Sequence, residues 1–372
     1  MLKNEQEKKQ DNKNAVLKLS HNRNEWPLDI FCRSCADLDI CGGIASQIGG
    51  HCYRHCCGGK HECQTVCRNN PAFMEQSQEI NGFGLENVPP VLPITHPVFD
   101  GIAPLISHGR GRAGCVRSDI VVVKLREVVD MKRGVLKYLT RKDLASGLKI
   151  DPSAKIIVTG IEKDIWVEPW WSLGSIRRCT LLRRLAKLGI ALVTPPNFSL
   201  FCDQPRPDNF HAMKRIALVQ HEFLVAGIPC ALHPHIITEM DSQRWISFVV
   251  PRPEIRTIVY EFTTGASQKP VQQMHINHLI NLAKDTPRAL NLVIFGDKRI
   301  IKYLAPYYRN ILYVDTSAFM KTICRRKAER IDGQKLRWQP VITPRDISLE
   351  DLLQHNVDEV TLSVQTFLTH AA

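Results

Sequence analysis

Eight short runs of apolar, largely β-branched residues recur from residue 102 onward, and few architectures can accommodate them. They are IAPLIS (102–107), IVVVKL (120–125), KIIVTG (155–160), IALVTP (190–195), IPCALH (228–233), TIVYEF (257–262), NLVIFG (291–296) and ILYVDT (311–316). Continuous apolar runs of this length suit strands buried on both faces, as in parallel sheets. Parallel neighbours cannot be joined by a tight turn, so helices must lie between them. Helical stretches do separate the later runs. SIRRCTLLRRLAKLG opens on a serine cap and stops at Gly189, and PDNFHAMKRIALVQHEFLVAG opens on Pro207 and Asp208 and stops at Gly227. VQQMHINHLINLAKD and KRIIKYLAPYYRN fill the next two gaps, and SAFMKTICRRKAERIDG is expected to be helical after the last run. Eight such units predict an α/β fold of the (β/α)8 TIM-like barrel type over 101–340, distorted in its first third, where no helix is read between the first two runs. An open doubly wound sheet is the alternative, although no GxGxxG follows any run. The tail, 341–372, is expected to be helical and to pack across the outside.

The front of the chain differs. Residues 1–26 are rich in Lys, Glu and Asn and predict a disordered arm. Residues 27–75 form a Cys-rich module, and the proline-rich 76–100 is expected to be an extended linker. The module holds Cys32, Cys35, Cys41, Cys52, Cys56, Cys57, Cys63 and Cys67, eight of the chain's thirteen cysteines. Disulfide frameworks belong to secreted chains, and the polar start MLKNEQEKKQDNKN has no apolar signal core. Metal ligation is therefore expected, by two zinc ions or two four-iron clusters at four thiolates each. His51, His55 and His61 are either solvated or substitute for a thiolate. Cys32-x-x-Cys35, a five-residue gap and Cys41-Gly42-Gly43 together resemble part of the auxiliary-cluster domain of radical S-adenosylmethionine enzymes. That resemblance implies a 4Fe–4S cluster, with zinc as the alternative. Ala45 stands where the family has its next cysteine, and no CxxxCxxC occurs.

The net charge of +12 and pI near 9.1 suggest a polyanionic partner, nucleic acid or a nucleotide-like substrate. No apolar run is long enough to cross a bilayer. The remaining cysteines are scattered like reduced thiols, and a cytoplasmic location is expected. A second resemblance lies in the middle of the chain, where Pro196, Asn197, Phe198 and Ser199 follow a strand and Asp203 and Pro205 precede a helix. This is similar to a family of bacterial and phage proteins of unknown function. It implies a β/α-barrel-like region over 190–265 and is consistent with work on nucleic acid.

In a barrel, functional groups collect where strands end. Those positions supply Asn197 and Asp203, His233 and His235, Glu261, and Asp315. Asp203, Glu261 and Asp315 are candidate carboxylates around one cavity, with His235 as proton shuttle and Asn197 beside them. Capping of the following helix competes with catalysis for Asp203 and Asp315. His233 reads as a core residue, and strand alternation could turn Glu261 to solvent. Arg110 and Arg112 in the glycine-bearing loop after the first strand, with Lys124, are candidate phosphate contacts. Among Trp166, Trp170 and Trp171, at least one is expected to be buried, while an exposed one could stack on a base. The leading expectation is a metal-containing protein performing acid–base chemistry at a base or glycosidic bond. An iron–sulfur redox enzyme and a non-catalytic nucleic-acid-binding protein are the alternatives.

Overall fold

The computed structural model describes residues 72–107, 112–201, 206–263, 266, 269–331, 335–342 and 348–369. The Cys-rich stretch Cys32–Cys67, and with it every expected metal ligand, lies outside the described residues, as does the 1–26 arm. In chain order the elements begin with α1 (Ala72–Glu79), β1 (Gly101–Pro104), β2 (Ile120–Lys124) and α2 (Leu125–Val128). A small hairpin, β3 (Val129–Asp130) and β4 (Val135–Leu136), precedes α3 (Arg141–Leu148), β5 (Lys155–Thr159), α4 (Asp164–Ser172) and α5 (Ser175–Leu185). Then come β6 (Leu192–Thr194), α6 (Arg206–Val225), α7 (Glu239–Val249), β7 (Thr257–Phe262), α8 (Lys269–Asp285), β8 (Asn291–Gly296) and α9 (Ile301–Leu304). The chain closes with β9 (Asn310–Asp315), α10 (Ser317–Ile323), the hairpin β10 (Arg326–Arg330) and β11 (Leu336–Pro340), and α11 (Glu350–Thr369).

This is a mixed α/β fold built on parallel sheets. One sheet runs β1-β9-β8-β7 and another β2-β5-β6, and every pairing within them is parallel. Parallel bridges connect the two: Leu105 with Val122, Val193 with Cys230, and Leu232 with Ile258. The amide of Ala231 donates to the Val193 carbonyl at 2.8 Å and that of Val259 to the Leu232 carbonyl at 2.8 Å, so the 230–232 segment joins β6 to β7. All eight apolar runs are therefore engaged in parallel pairing.

Alternation within the strands divides the apolar residues into two populations. Ala103, Leu105, Val122, Ile157, Leu192, Ala231, Val259, Val293, Leu312 and Val314 pack on one another, with Phe99 and Phe295, as a separate cluster drawn from all eight segments. Their neighbours of opposite parity, such as Val121, Val123, Ile156, Val158, Ile258, Leu292 and Ile294, belong to the larger cluster that the helices cover. Two glycines allow strand ends to approach. A Cβ on Gly160 would lie 2.5 Å from the Pro196 nitrogen, and one on Gly296, at φ +106°, 2.4 Å from the Phe262 carbonyl oxygen.

The expected linker segment, 76–100, carries Ile80, Phe83, Leu85, Val88 and Phe99 into buried positions. Its carbonyls have no ladder partners, so basic side chains satisfy them. Buried Lys214 donates to Gly84, Arg244 to Phe83 at 3.1 Å, and Arg252 to Val88. Desolvation lowers the Lys214 ammonium to a pKa of about 8.

Three expectations about helices need correction. SAFMKTICRRKAERIDG is helical only to Ile323: Arg325 takes φ +53°, and the chain then pairs antiparallel with β11. Asn356 of α11 accepts from the Ala328 amide at 2.8 Å and donates to the Arg326 carbonyl at 2.8 Å, so a tertiary contact overrides local helix propensity. KRIIKYLAPYYRN breaks into the single turn α9 flanked by 3₁₀ turns, because Pro306 interrupts it. Helix α7 was not expected, yet Thr238 and Asp241 form a capping box at its start, a legible signal. The tail does form a helix, α11, which buries Leu353, Val357, Val360 and Val364.

The interior cluster should dominate stability. Leu312→Ala is expected to cost ~3 kcal/mol in urea unfolding, against under ~0.5 kcal/mol for Leu92→Ala at the 86 % exposed Leu92.

Candidate functional site

At the carboxyl ends of β2, β5, β6 and β7 the alternation that built the interior cluster runs out of apolar residues. Polar ones take over: Lys124 and Thr159 end their strands, Thr194 ends β6, and Glu261 precedes Phe262. The Thr194 hydroxyl donates to Thr159 Oγ1 at 2.7 Å, and the amide of Ile161 donates to the same oxygen at 3.2 Å. This pair closes the top of the interior and turns the chain after β5 toward Glu162.

Glu162 is the hub. Its side chain is 5 % exposed, and its Oε1 lies 3.0 Å from Lys124 Nζ and 2.9 Å from Arg126 Nε. The Arg126 contact is an ion pair by distance only, since this buried Nε–H is not aimed at a hydrogen-bond acceptor. The Glu162 amide donates to Asn197 Oδ1 at 3.1 Å, and Asn197 Nδ2 donates to Glu261 Oε2 at 3.2 Å. Thr263 donates its hydroxyl to the other Glu261 oxygen. One polar chain thus links two cations and two carboxylates across four strand ends. The guanidinium of Arg126 also lies over the ring of Trp166, 4.7 Å from its centroid, and Trp166 is 39 % exposed.

The two carboxylates sit in different surroundings. Glu162 is flanked by two cations, whereas Glu261 contacts Asn197 and Thr263, both neutral. Burial raises the pKa of Glu261, the hydrogen bond from Thr263 opposing it in part. A carboxyl group whose proton affinity is raised by burial, beside a second carboxyl group flanked by cations, suits general acid–base chemistry.

The structure sorts the sequence candidates. Lys124, Asn197 and Glu261 come together. Asp203 and Arg110 lie outside the described residues. Asp315 is buried, and both its oxygens are used as a cap: Oδ1 accepts from the Ser317 amide at 2.9 Å and its hydroxyl at 2.6 Å, Oδ2 from the Ala318 amide at 2.8 Å. Of the two roles open to Asp315, the structure thus shows helix capping. Arg112, expected at phosphate, is buried instead as a clasp. It pairs with Glu350 of α11 at 2.9 Å and donates to the carbonyls of Leu148 at 3.0 Å and Lys149 at 2.5 Å. Three of its donors thus tie a loop, a helix end and α11 together. Trp170 is buried and stacked on Phe223 (5.6 Å), and Trp171 donates from Nε1 to Glu79 at 2.6 Å. Glu162 and Arg126 were missed, although both fall within three residues of a strand end, where the rule applied to the other strands would have found them.

His235 does not join the carboxylates. The chain turns sharply at Pro234, the His235 amide donating to the His233 carbonyl at 2.9 Å, and both rings enter an aromatic group. His233 stacks on Tyr260 (5.4 Å) and meets His235 at 5.7 Å, while His235 lies 6.4 Å from His275. The Tyr260 hydroxyl bonds His275 Nδ1 at 2.6 Å, and Ser242 bonds His278 Nδ1 at 2.7 Å. Desolvation lowers His235 and His278 to about 4, His275 to about 3, and His233 well below the usual imidazole value. A buried, neutral histidine of this kind is a poor shuttle near pH 7. Neither ring nitrogen of His233 has a hydrogen-bond partner among the described residues. Among the described residues, no three His, Cys, Asp or Glu side chains are grouped so as to hold a metal ion, and no helix is long and apolar enough to cross a membrane.

Beside the polar chain, on the loops after β5 and β6, a cleft of about 510 Å³ opens. It is lined by residues that include Asp164, Glu168, Ser199, Phe201, His211 and Arg215. Ser199 donates to Asp164 at 2.7 Å, and Arg215 pairs with Glu168 at 2.7 Å.

No protein-family model matches the chain, and no curated protein does. One solved structure it resembles is the tryptophan synthase subunit alpha from Legionella pneumophila str. Paris. The identity is 9 % and the TM-score 0.37, over 72 % of this chain and 93 % of that one.

Two predictions follow from the electrostatics. The four histidines have folded pKa values below 6.5, so the unfolded chain binds more protons in acid and stability drains as pH falls from about 6.5 toward about 4. The thermal midpoint should fall across that window, and less steeply in His275→Asn. Glu261 has the opposite sign: its raised folded pKa means stability is lost as pH rises through that value. Glu261→Gln should therefore raise the thermal midpoint at pH 8 and change it less at pH 4; an equal effect at both would show that ionisation of Glu261 carries no cost.

Proposed function

We propose that the eight parallel segments close as a (β/α)8 barrel and that the strand-end polar chain is an acid–base site acting on a nucleotide-like substrate or nucleic acid, at a base or glycosidic bond. The single observation carrying this reading is the chain Lys124/Arg126–Glu162–Asn197–Glu261, which lies where barrel chemistry collects. The barrel itself is supported by the sequence of parallel neighbours and by an interior cluster that draws on every segment.

In this reading the roles follow from charge and hydrogen bonding. Arg126 and Lys124 grip a phosphate, and Glu162 holds both cations in place. Glu261, its proton affinity raised by burial, is the general acid toward a leaving base, and Asn197 orients it. Trp166, already pinned by Arg126, offers a face for stacking. The thiolates of Cys32–Cys67 would hold a 4Fe–4S cluster or zinc, which would brace the front of the chain or help grip the substrate. That part rests on the spacing of the cysteines in the sequence.

The test starts from binding. A panel of nucleosides, nucleoside monophosphates and short oligonucleotides is screened by thermal shift and calorimetry. A phosphate-bearing member should bind, and Lys124→Ala with Arg126→Ala should weaken it at least tenfold; a panel in which nucleosides bind as well as their phosphates would refute the phosphate grip. With the bound member as substrate, Glu261→Gln should lower kcat by about 10²–10⁴-fold with binding retained. Binding without any turnover by the unsubstituted protein would leave a binding protein instead. Metal analysis of protein prepared without oxygen is expected to give iron with sulfide, or zinc; a metal-free, fully folded chain removes the metal from the proposal.

A further inference from the structure

Helix α5 and the 3₁₀ turn that extends it carry SIRRCTLLRRLAKLG, a segment without a single acidic residue. At ~100° per residue its side chains divide into two arcs. Leu181, Leu182, Leu185 and Leu188 are buried in the core, with Arg178 on the same side, held by Glu222 at 2.8 Å through two nitrogens. Arg177, Arg183, Arg184 and Lys187 occupy the opposite third of the circumference, and all four are exposed. No salt bridge engages any of them among the described residues. The row extends beyond the helix, because the β3–β4 turn lies against the start of α5. A Cβ on Gly134 in that turn would meet Leu173 at 3.1 Å, and the exposed Lys132 and Arg133 belong to the same turn.

We propose that this row is a docking track for the phosphate backbone of a nucleic-acid strand. Six cations with one acidic partner in a salt bridge among the described residues, the half-buried Asp130 at 3.8 Å from Arg133, give a sustained positive field. Arg177 to Lys187 span ~15 Å of helix, enough for several successive phosphates. The track starts at the amino-terminal end of α5, which follows β5, Glu162 and α4 in the chain, and runs along the exposed side of the helix. A strand with one nucleotide at the polar chain would lay its flanking phosphates along it. The inference thus extends the nucleotide reading from a single unit to a polymer. An anionic membrane is the competing partner, but insertion needs a free apolar face, and the leucines of α5 are committed to the core, leaving Ile176 as its one large exposed apolar side chain.

The test compares the full chain with the R177E/R183E/R184E/K187E variant, using fluorescence anisotropy on labelled single strands and duplexes of about 20 nucleotides over a range of salt. The unsubstituted chain should bind with an affinity that falls steeply as salt rises. The variant should lose at least about 100-fold in affinity at low salt, and its salt slope should shrink by about 3. These side chains are exposed, so its thermal midpoint should stay within a few degrees of the parent; R177A/R183A/R184A/K187A serves if charge reversal lowers it further. Unchanged affinity and slope in either variant overturn the track, even where nucleoside monophosphates still bind. Loss of polymer binding with monophosphate binding intact supports it, and the same loss without any monophosphate binding supports the track while removing the nucleotide reading of the polar chain. Phosphatidylserine vesicles that sediment the parent but not the variant, with no binding to nucleic acid, overturn it in favour of a membrane.

Discussion

Alternation in the parallel strands is the constraint on which the rest of the structure depends. Each of the eight segments presents one set of side chains to a common interior and the other set to helices. Both faces are buried, so a slip of one residue would exchange two apolar environments of different shape rather than core for solvent, and shape complementarity must hold the register. The interior set is small and branched: Ala, Val, Leu and Ile, with Phe99 and Phe295 as the large members. Where that set ends, at Lys124, Thr159, Thr194 and Glu261, the same geometry that packed hydrocarbon now converges polar groups. The candidate site is the continuation of the core by other residue types.

That continuity accounts for the site's electrostatics. Two carboxylates and two cations meet where apolar packing below limits solvation, so charge must be matched locally. Glu162 gains Lys124 and Arg126, whereas Glu261 gains the neutral donors Asn197 and Thr263, and burial raises its proton affinity. The histidine group around Tyr260 shows another outcome of burial. Those rings are held neutral, packed as aromatics, and hydrogen-bonded where a partner exists. Two strand-end histidines that look similar in sequence to the site residues are thus drawn into a structural role by a turn at Pro234.

Much of this was legible from residues alone. All eight strand runs follow from local composition, and the stop of α5 at Gly189 follows from the same signals, although Gly174 and not Ser175 is its N-cap, with no side-chain cap bond. Asn197, Glu261 and Lys124 could be picked out because strand ends are where polar groups interrupt apolar runs. The less legible cases share one cause. Whether Asp315 caps or catalyses depends on whether the amides of Ser317 and Ala318 point at it, and whether Arg112 meets phosphate or Glu350 depends on a partner 238 residues away. The helix expected at 317–333 stops at Ile323 because Asn356, distant in sequence, holds the backbone of Ala328.

The sequence by itself determined the period of the apolar pattern, and so the eight strand segments, their order and the parallel character of the main sheets, because buried strands demand a fixed spacing of apolar groups. It also determined where cationic side chains are plentiful and acids absent, as along α5. Tertiary structure alone decided which polar groups share an environment. Hydrogen bonds and desolvation act over a few ångströms in space, between residues as far apart as Lys124 and Glu261, and spacing along the chain carries no record of those distances.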